Sequence, residues 1–141
     1  MKGFTLIEVM VVVLIIALLS AIAYPSYINY KIRVNRAEVK AEMLKLAAGL
    51  QQHKLVEYSY ANATLAKFNS SGVFPSFNTA FYSLELNISS DNMNYELVAK
   101  PLSITIQKNN GVVCLNDQGY KYWALGAVSC ELSVISSWED H

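Results

Sequence analysis

One carboxylate, Glu8, lies near the end of an apolar run that continues to Ala23. An acidic residue at the centre of a membrane-length helix costs about 2.5–3.5 kcal/mol, less near an interface, and such residues usually mark function. The chemistry open to Glu8 is pairing. In apolar surroundings an unpaired carboxylate and an unpaired ammonium are each costly, and bringing them together offsets both. The plainer alternative is an acidic side chain favoured by the helix dipole alone. A second set, Lys100, Lys108 and Lys121, consists of cations that strands could gather against the phosphates of a nucleic acid, although Glu85, Glu96 and Glu131 oppose them in charge. No nucleophile–base pair, paired carboxylates or phosphate loop stands out, so neither an enzymatic reaction nor a cofactor is expected. His53 and His141 stand far from ligand spacing to Cys114 and Cys130, which argues against a metal site. His53 reads as a solvated helix residue, and Met10, Met43 and the tyrosines read as packing residues.

The elements that must position these residues follow from periodicity. The run Phe4–Ala23 is long enough to cross roughly 30 Å of hydrocarbon as a helix. Pro25 interrupts the pattern and predicts a kink or an opening of the helix. Beyond it Val39, Met43, Leu46 and Leu50 recur on one helical face, with Lys31, Arg36, Glu38, Lys40, Glu42 and Lys45 mainly off it. The pattern predicts one helix from about Phe4 to about Tyr58, about 80 Å long at 1.5 Å per residue. Its first half is apolar all round and its second half one-sided.

A long loop is expected from Asn62 to Asn78, anchored by Phe68, Phe74 and Phe77. Strands follow. Tyr82, Leu84, Leu86 and Ile88 alternate with polar residues, Ser90–Asn94 is a polar turn, and 95–100 is the partner strand, ended by Pro101. Ser103–Lys108 reads as a third strand with Ile104 and Ile106 facing in. Asn110-Gly111 signals a hairpin turn, Val112–Leu115 its return, and Asn116–Gly119 another turn before Tyr120–Leu125. The fold class is α+β: a long helix laid on a 3–5-stranded antiparallel sheet. The segment after Cys130 reads as an exposed tail or a further edge strand. Net formal charge is zero, which argues against a strongly basic nucleic-acid binder but not against a local patch.

The stretch Gly3-Phe4-Thr5-Leu6-Ile7-Glu8, with a basic residue before the glycine, resembles the N-terminus of type IV pilins. Tyr24-Pro25-Ser26-Tyr27 is similar to a stretch many pilins carry at this place. Tyr95-x-Leu97-x-Ala99-x-Pro101 is similar to the second strand of a minor-pilin-like subgroup. A secretory signal (Ala21-Ile22-Ala23 imitates a cleavage site) and a plain membrane anchor are the competing readings, and neither accounts for Gly3 and Glu8 together. The resemblance implies four parts: a leader at 1–3, an assembly helix at 4–27, an amphipathic half-helix at 28–58 and a globular sheet domain at 59–141.

It also implies roles. A prepilin peptidase cuts after Gly3, where a missing Cβ lets the enzyme approach the backbone. Phe4 becomes an N-methylated terminus, and Glu8, the fifth residue counting from Phe4, takes the amine of a neighbouring Phe4 or its own as partner and sets register. The implied partners are other pilin subunits, the peptidase, an inner-membrane assembly platform and the membrane itself before assembly. The globular domain is expected in the periplasm, then outside the cell in the filament. The cations Lys31, Arg33 and Arg36 outnumber Lys2, so a charge-bias rule alone would place that end in the cytoplasm. In an exported domain Cys114 and Cys130 are expected to form a disulfide, with two unpaired thiols as the alternative. In many pilins the first cysteine precedes the strand that enters the Asp-x-x-Gly turn, whereas Cys114 falls within it. Cysteine placement and the short leader favour a minor subunit. Adhesion, twitching motility and DNA uptake remain open as its work. A secretion-system pseudopilin, whose acidic calcium ligands would have to come from the scattered Asp91, Asp117 and Asp140, and a pilin-like DNA receptor are the alternatives.

Overall fold

The computed structural model describes residues 3–76 and 79–139. The expected leader residues Met1 and Lys2, the loop anchor Phe77 with Asn78, and the terminal Asp140 and His141 lie outside them. The chain divides into two units, Met1–Val34 and Asn35–His141.

The first unit is helical. Helix α1 runs Leu6–Glu57 with Pro25 inside it, so the proline leaves one backbone acceptor without its usual donor but does not end the helix. Every residue from Gly3 to Tyr27 is exposed. An apolar surface of this length without cover marks a membrane or a bed of other helices as its natural surrounding.

In the second unit α1 buries one face, formed by Asn35, Arg36, Val39, Met43, Leu46 and Leu50. The four apolar positions are those the periodicity selects. Arg36 corrects the sequence reading: it stands three residues before Val39, hence on the same face, and is only 6 % exposed. The helix stops where Tyr58 enters the left-handed region (φ 57°). His53, expected in solvent, is half-buried instead. Its Nε2 lies 3.1 Å from the carbonyl of Ala61, and its ring meets Phe68 edge-on.

The long connection is less open than its composition suggests. It holds a 3₁₀ turn at Leu65–Phe68 and a two-residue strand, β1 (Val73–Phe74). Strands β2 (Tyr82–Ile88), β3 (Tyr95–Pro101), β4 (Val113–Asn116) and β5 (Lys121–Trp123) follow. The five form one antiparallel sheet in sequential order. Alternation gives each strand two faces. Tyr82, Leu84, Tyr95, Leu97, Ala99, Val113 and Leu115 join Val39, Met43, Leu46 and Leu50 in the main core. On the other face Val98, Val112 and Cys114 collect Tyr122, Ala127, Cys130 and Leu132 into a small second core.

The third strand expected at 103–108 is absent. Residues 102–110 wind through tight turns, with backbone bonds from Thr105 to Leu102, Lys108 to Thr105 and Asn110 to Gln107. Ile104 points out, 89 % exposed, and Gln107 is the buried side chain. The reason is a polar network. Gln107 accepts from Asn35 (3.3 Å) and donates to the Tyr82 hydroxyl (2.7 Å), so the turn is pulled inward at its glutamine. Asn110-Gly111 therefore closes no hairpin. Gly111 (φ +88°) instead packs against the Ala124 carbonyl, where a Cβ would come within 1.9 Å.

Candidate functional site

At the helix start, Thr5 and Glu8 satisfy one another. Glu8 Oε2 accepts from the Thr5 amide and the Thr5 hydroxyl, both at 2.8 Å, and the Glu8 amide donates to Thr5 Oγ1 at 3.3 Å. This is a reciprocal capping box, which ties up donors that a helix N-terminus leaves open. The Thr-x-x-Glu spacing is present in the sequence, and Thr5 is the partner of Glu8 that the periodicity alone does not single out. Both bonds fall on one carboxylate oxygen, so the other can take a cation without undoing the cap. Phe4 is exposed beside it, and Gly3 has open space where a Cβ would stand.

The three lysines do not converge. Lys100 and Lys108 line one groove with Ser103, Asn109 and Val128, between the 101–111 turns and the 124–128 loop. Lys100 pairs with Glu85 across the strands at 2.6 Å, with both side chains nearly half exposed. Lys121 stands opposite Leu115, and Trp123 opposite Val113, so it belongs to the helix side of the sheet. There its ammonium sits 5.3 Å from the ring of Trp138.

Lys121 thus joins a different cluster. The Arg36 guanidinium lies 3.7 Å over the Trp123 ring and donates to Asn110 Oδ1 at 3.2 Å. Lys40 stands between both indoles, 5.4 Å from Trp123 and 5.9 Å from Trp138. It also donates to the Trp138 carbonyl at 2.5 Å. Trp138 Nε1 donates to the Cys114 carbonyl (2.9 Å), and the Trp123 amide to the Ser137 carbonyl (3.1 Å). Among the described residues, 131–139 are therefore neither a free tail nor a strand. They form a strap fastened at the sheet edge through Ser137 and Trp138.

Cys114 and Cys130 form a disulfide, with a Cα–Cα distance of 5.9 Å. Glu96 approaches both sulfurs, but these sulfurs are bonded to each other and offer no thiolate to a metal.

Two family matches divide the chain. Residues 1–24 match the prokaryotic N-terminal methylation motif, and residues 25–116 match the family described as type IV minor pilin ComP, DNA uptake sequence receptor. The type IV major pilin protein PilE of Neisseria gonorrhoeae is 33 % identical over 79 % of this chain and 71 % of its own length. A fimbrial protein of Neisseria meningitidis serogroup B is 35 % identical over 79 % of the chain and 69 % of its own. A fimbrial protein of Pseudomonas aeruginosa is 55 % identical, over 33 % of the chain and 32 % of its own length. No solved structure matches. With the α+β architecture, the exposed apolar helix and the disulfide already in place, these matches show that the chain belongs to the type IV pilins, in the minor pilin ComP family.

Proposed function

We propose that this pilin is a minor subunit that gives a type IV pilus a DNA-contacting surface. It is made as a membrane-anchored precursor, cut after Gly3 by a prepilin peptidase and methylated on Phe4. The inner-membrane platform then moves it into the filament. The observation that carries the assembly half of this reading is the Thr5–Glu8 box at the head of an exposed apolar helix. The box holds Oε2 inside its own subunit and leaves Oε1 for the Phe4 amine of a neighbour. Only the axial stagger that brings that amine to Glu8 buries both charges together, so the carboxylate sets register. The globular domain is then periplasmic before assembly and extracellular after it.

The DNA half rests on the family match and on the groove that Lys100 and Lys108 share. The ion pair from Lys100 to Glu85 is solvent-exposed and weak enough for a phosphate to replace the carboxylate. Lys121 takes no part in this groove. The disulfide and the pilin matches favour the pilus over a secretion pseudopilin.

The test has two arms. Sheared filaments are analysed by intact mass and N-terminal sequencing; a methylated product beginning at Phe4 is expected, and an uncut form confined to the membrane overturns the assembly half. Duplex binding is then measured across salt concentration for the folded chain and for K100Q/K108Q. Loss of two phosphate contacts should flatten the log–log salt slope by about 2. An unchanged slope removes these lysines from the contact.

A further inference from the structure

The end of the apolar run carries a further feature. Tyr24, Tyr27 and Tyr30 are 70, 56 and 59 % exposed. They recur every three residues, and Lys31 follows four after Tyr27, so these four side chains lie along one side of α1. Arg33 continues that arc three residues beyond Tyr30. Lys31 and Arg33 are exposed and make no ion pair among the described residues. From Val9 to Ala37 the sequence contains no carboxylate at all.

We infer that Tyr24, Tyr27, Tyr30, Lys31 and Arg33 form a collar that binds anionic phospholipid headgroups while the subunit is stored in the bilayer. The inference rests on the membrane-stored precursor proposed above. The position fits: Leu6–Ala23, at 1.5 Å per residue, spans about 27 Å, close to the roughly 30 Å of a hydrocarbon core. Tyr24 therefore stands where hydrocarbon gives way to headgroups, the depth that suits an apolar ring with a polar tip. The chemistry fits as well. Helical side chains lean toward the helix N-terminus, so Lys31 and Arg33 reach back toward the membrane surface rather than away from it. Two cations without a carboxylate neighbour select phosphate-bearing anionic lipid over zwitterionic lipid. The same collar offsets the charge-bias problem: cations on the outer side are held at that surface by lipid phosphate instead of drawing the segment inward.

The experiment places the full chain in nanodiscs of phosphatidylcholine containing a minority of phosphatidylglycerol. Motional restriction of spin-labelled versions of each lipid gives their relative association with the protein. Solvent paramagnetic relaxation of the amides at 24–34 gives the depth of the collar. Phosphatidylglycerol should associate more strongly, by as much as about fivefold for each of the two cations. K31Q/R33Q should bring the ratio to near one, and Y24L/Y27L/Y30L should move the water boundary by about one helical turn. Equal association of the two lipids with an inserted wild-type chain overturns the collar and leaves membrane storage standing. A preference that survives K31Q/R33Q also overturns it, as does restriction that grows with the number of chains per disc, which marks helix pairing. Failure of the chain to enter the discs overturns the storage reading itself.

Discussion

At the scale of single residues, the domain's tyrosines and Arg36 govern its response to pH and substitution. Burial pushes the Tyr95 hydroxyl up to about 12, with Tyr60 and Asp117 nearby adding to the shift. Burial raises Tyr60 and Tyr82 as well. The folded state thus prefers the neutral phenol. Its contribution is fully present below the unfolded value of 10 and is lost as pH rises from there through about 12. The urea midpoint should fall across that window, and Tyr95→Phe should reduce the fall. An identical alkaline slope in the variant would falsify the assignment. Arg36 is the second case. Its guanidinium both stacks on Trp123 and bonds Asn110 within the buried face. Arg36→Met should cost about 2–4 kcal/mol in chemical denaturation, because it removes a charged hydrogen bond and the ring contact and leaves Asn110 short of a donor. Arg36→Lys should recover only part, since an ammonium cannot stack as a planar fork does.

At the scale of elements, turns and cross-links decide where the strands end. Gly111→Ala should cost more than about 2 kcal/mol, through both its positive φ and the collision with the Ala124 carbonyl. A thermal midpoint like that of wild type would show that the 124–128 loop yields freely. The disulfide spans a sequence separation of 16 and lies in the small second core. Its reduction should cost about 3 kcal/mol and should loosen Trp138, which bonds the Cys114 carbonyl. Comparison of melting under oxidising and reducing conditions measures both. These elements also show how far the sequence could be read. The buried stripe of α1 and strands β2 and β3 were legible because burial writes itself as period 3.6 or period 2. Residues 103–108 deceived because Ile104 and Ile106 alternate as a strand would, while the deciding interaction, Asn35–Gln107–Tyr82, links positions far apart in sequence. The capping box was local and readable at Thr5. The separation of Lys121 from Lys100 and Lys108 was not, because it depends on the register of β4 with β5.

At the scale of the whole molecule, the hydrophobic cores belong to the unit Asn35–His141, and the continuous exposed apolar run of α1 belongs to Met1–Val34. A chain shortened to residues 28–141 should therefore stay soluble without detergent and unfold in one cooperative step, with the denaturant midpoint of the full chain in micelles. Aggregation of the shortened chain, or a midpoint well below that of the full chain, would show that the first unit contributes to domain stability. One feature gives the protein a built-in optical gauge. Both of its tryptophans sit at the strap, flanked by Arg36, Lys40 and Lys121. Indole emission consequently samples this one corner. Trp123 Nε1 donates to the Asn110 carbonyl at 2.9 Å, and Asn110 lies between two residues of the Lys100–Lys108 groove. A ligand there should therefore perturb this emission modestly, whereas lifting of the strap should shift it to the red before the rest of the domain has melted.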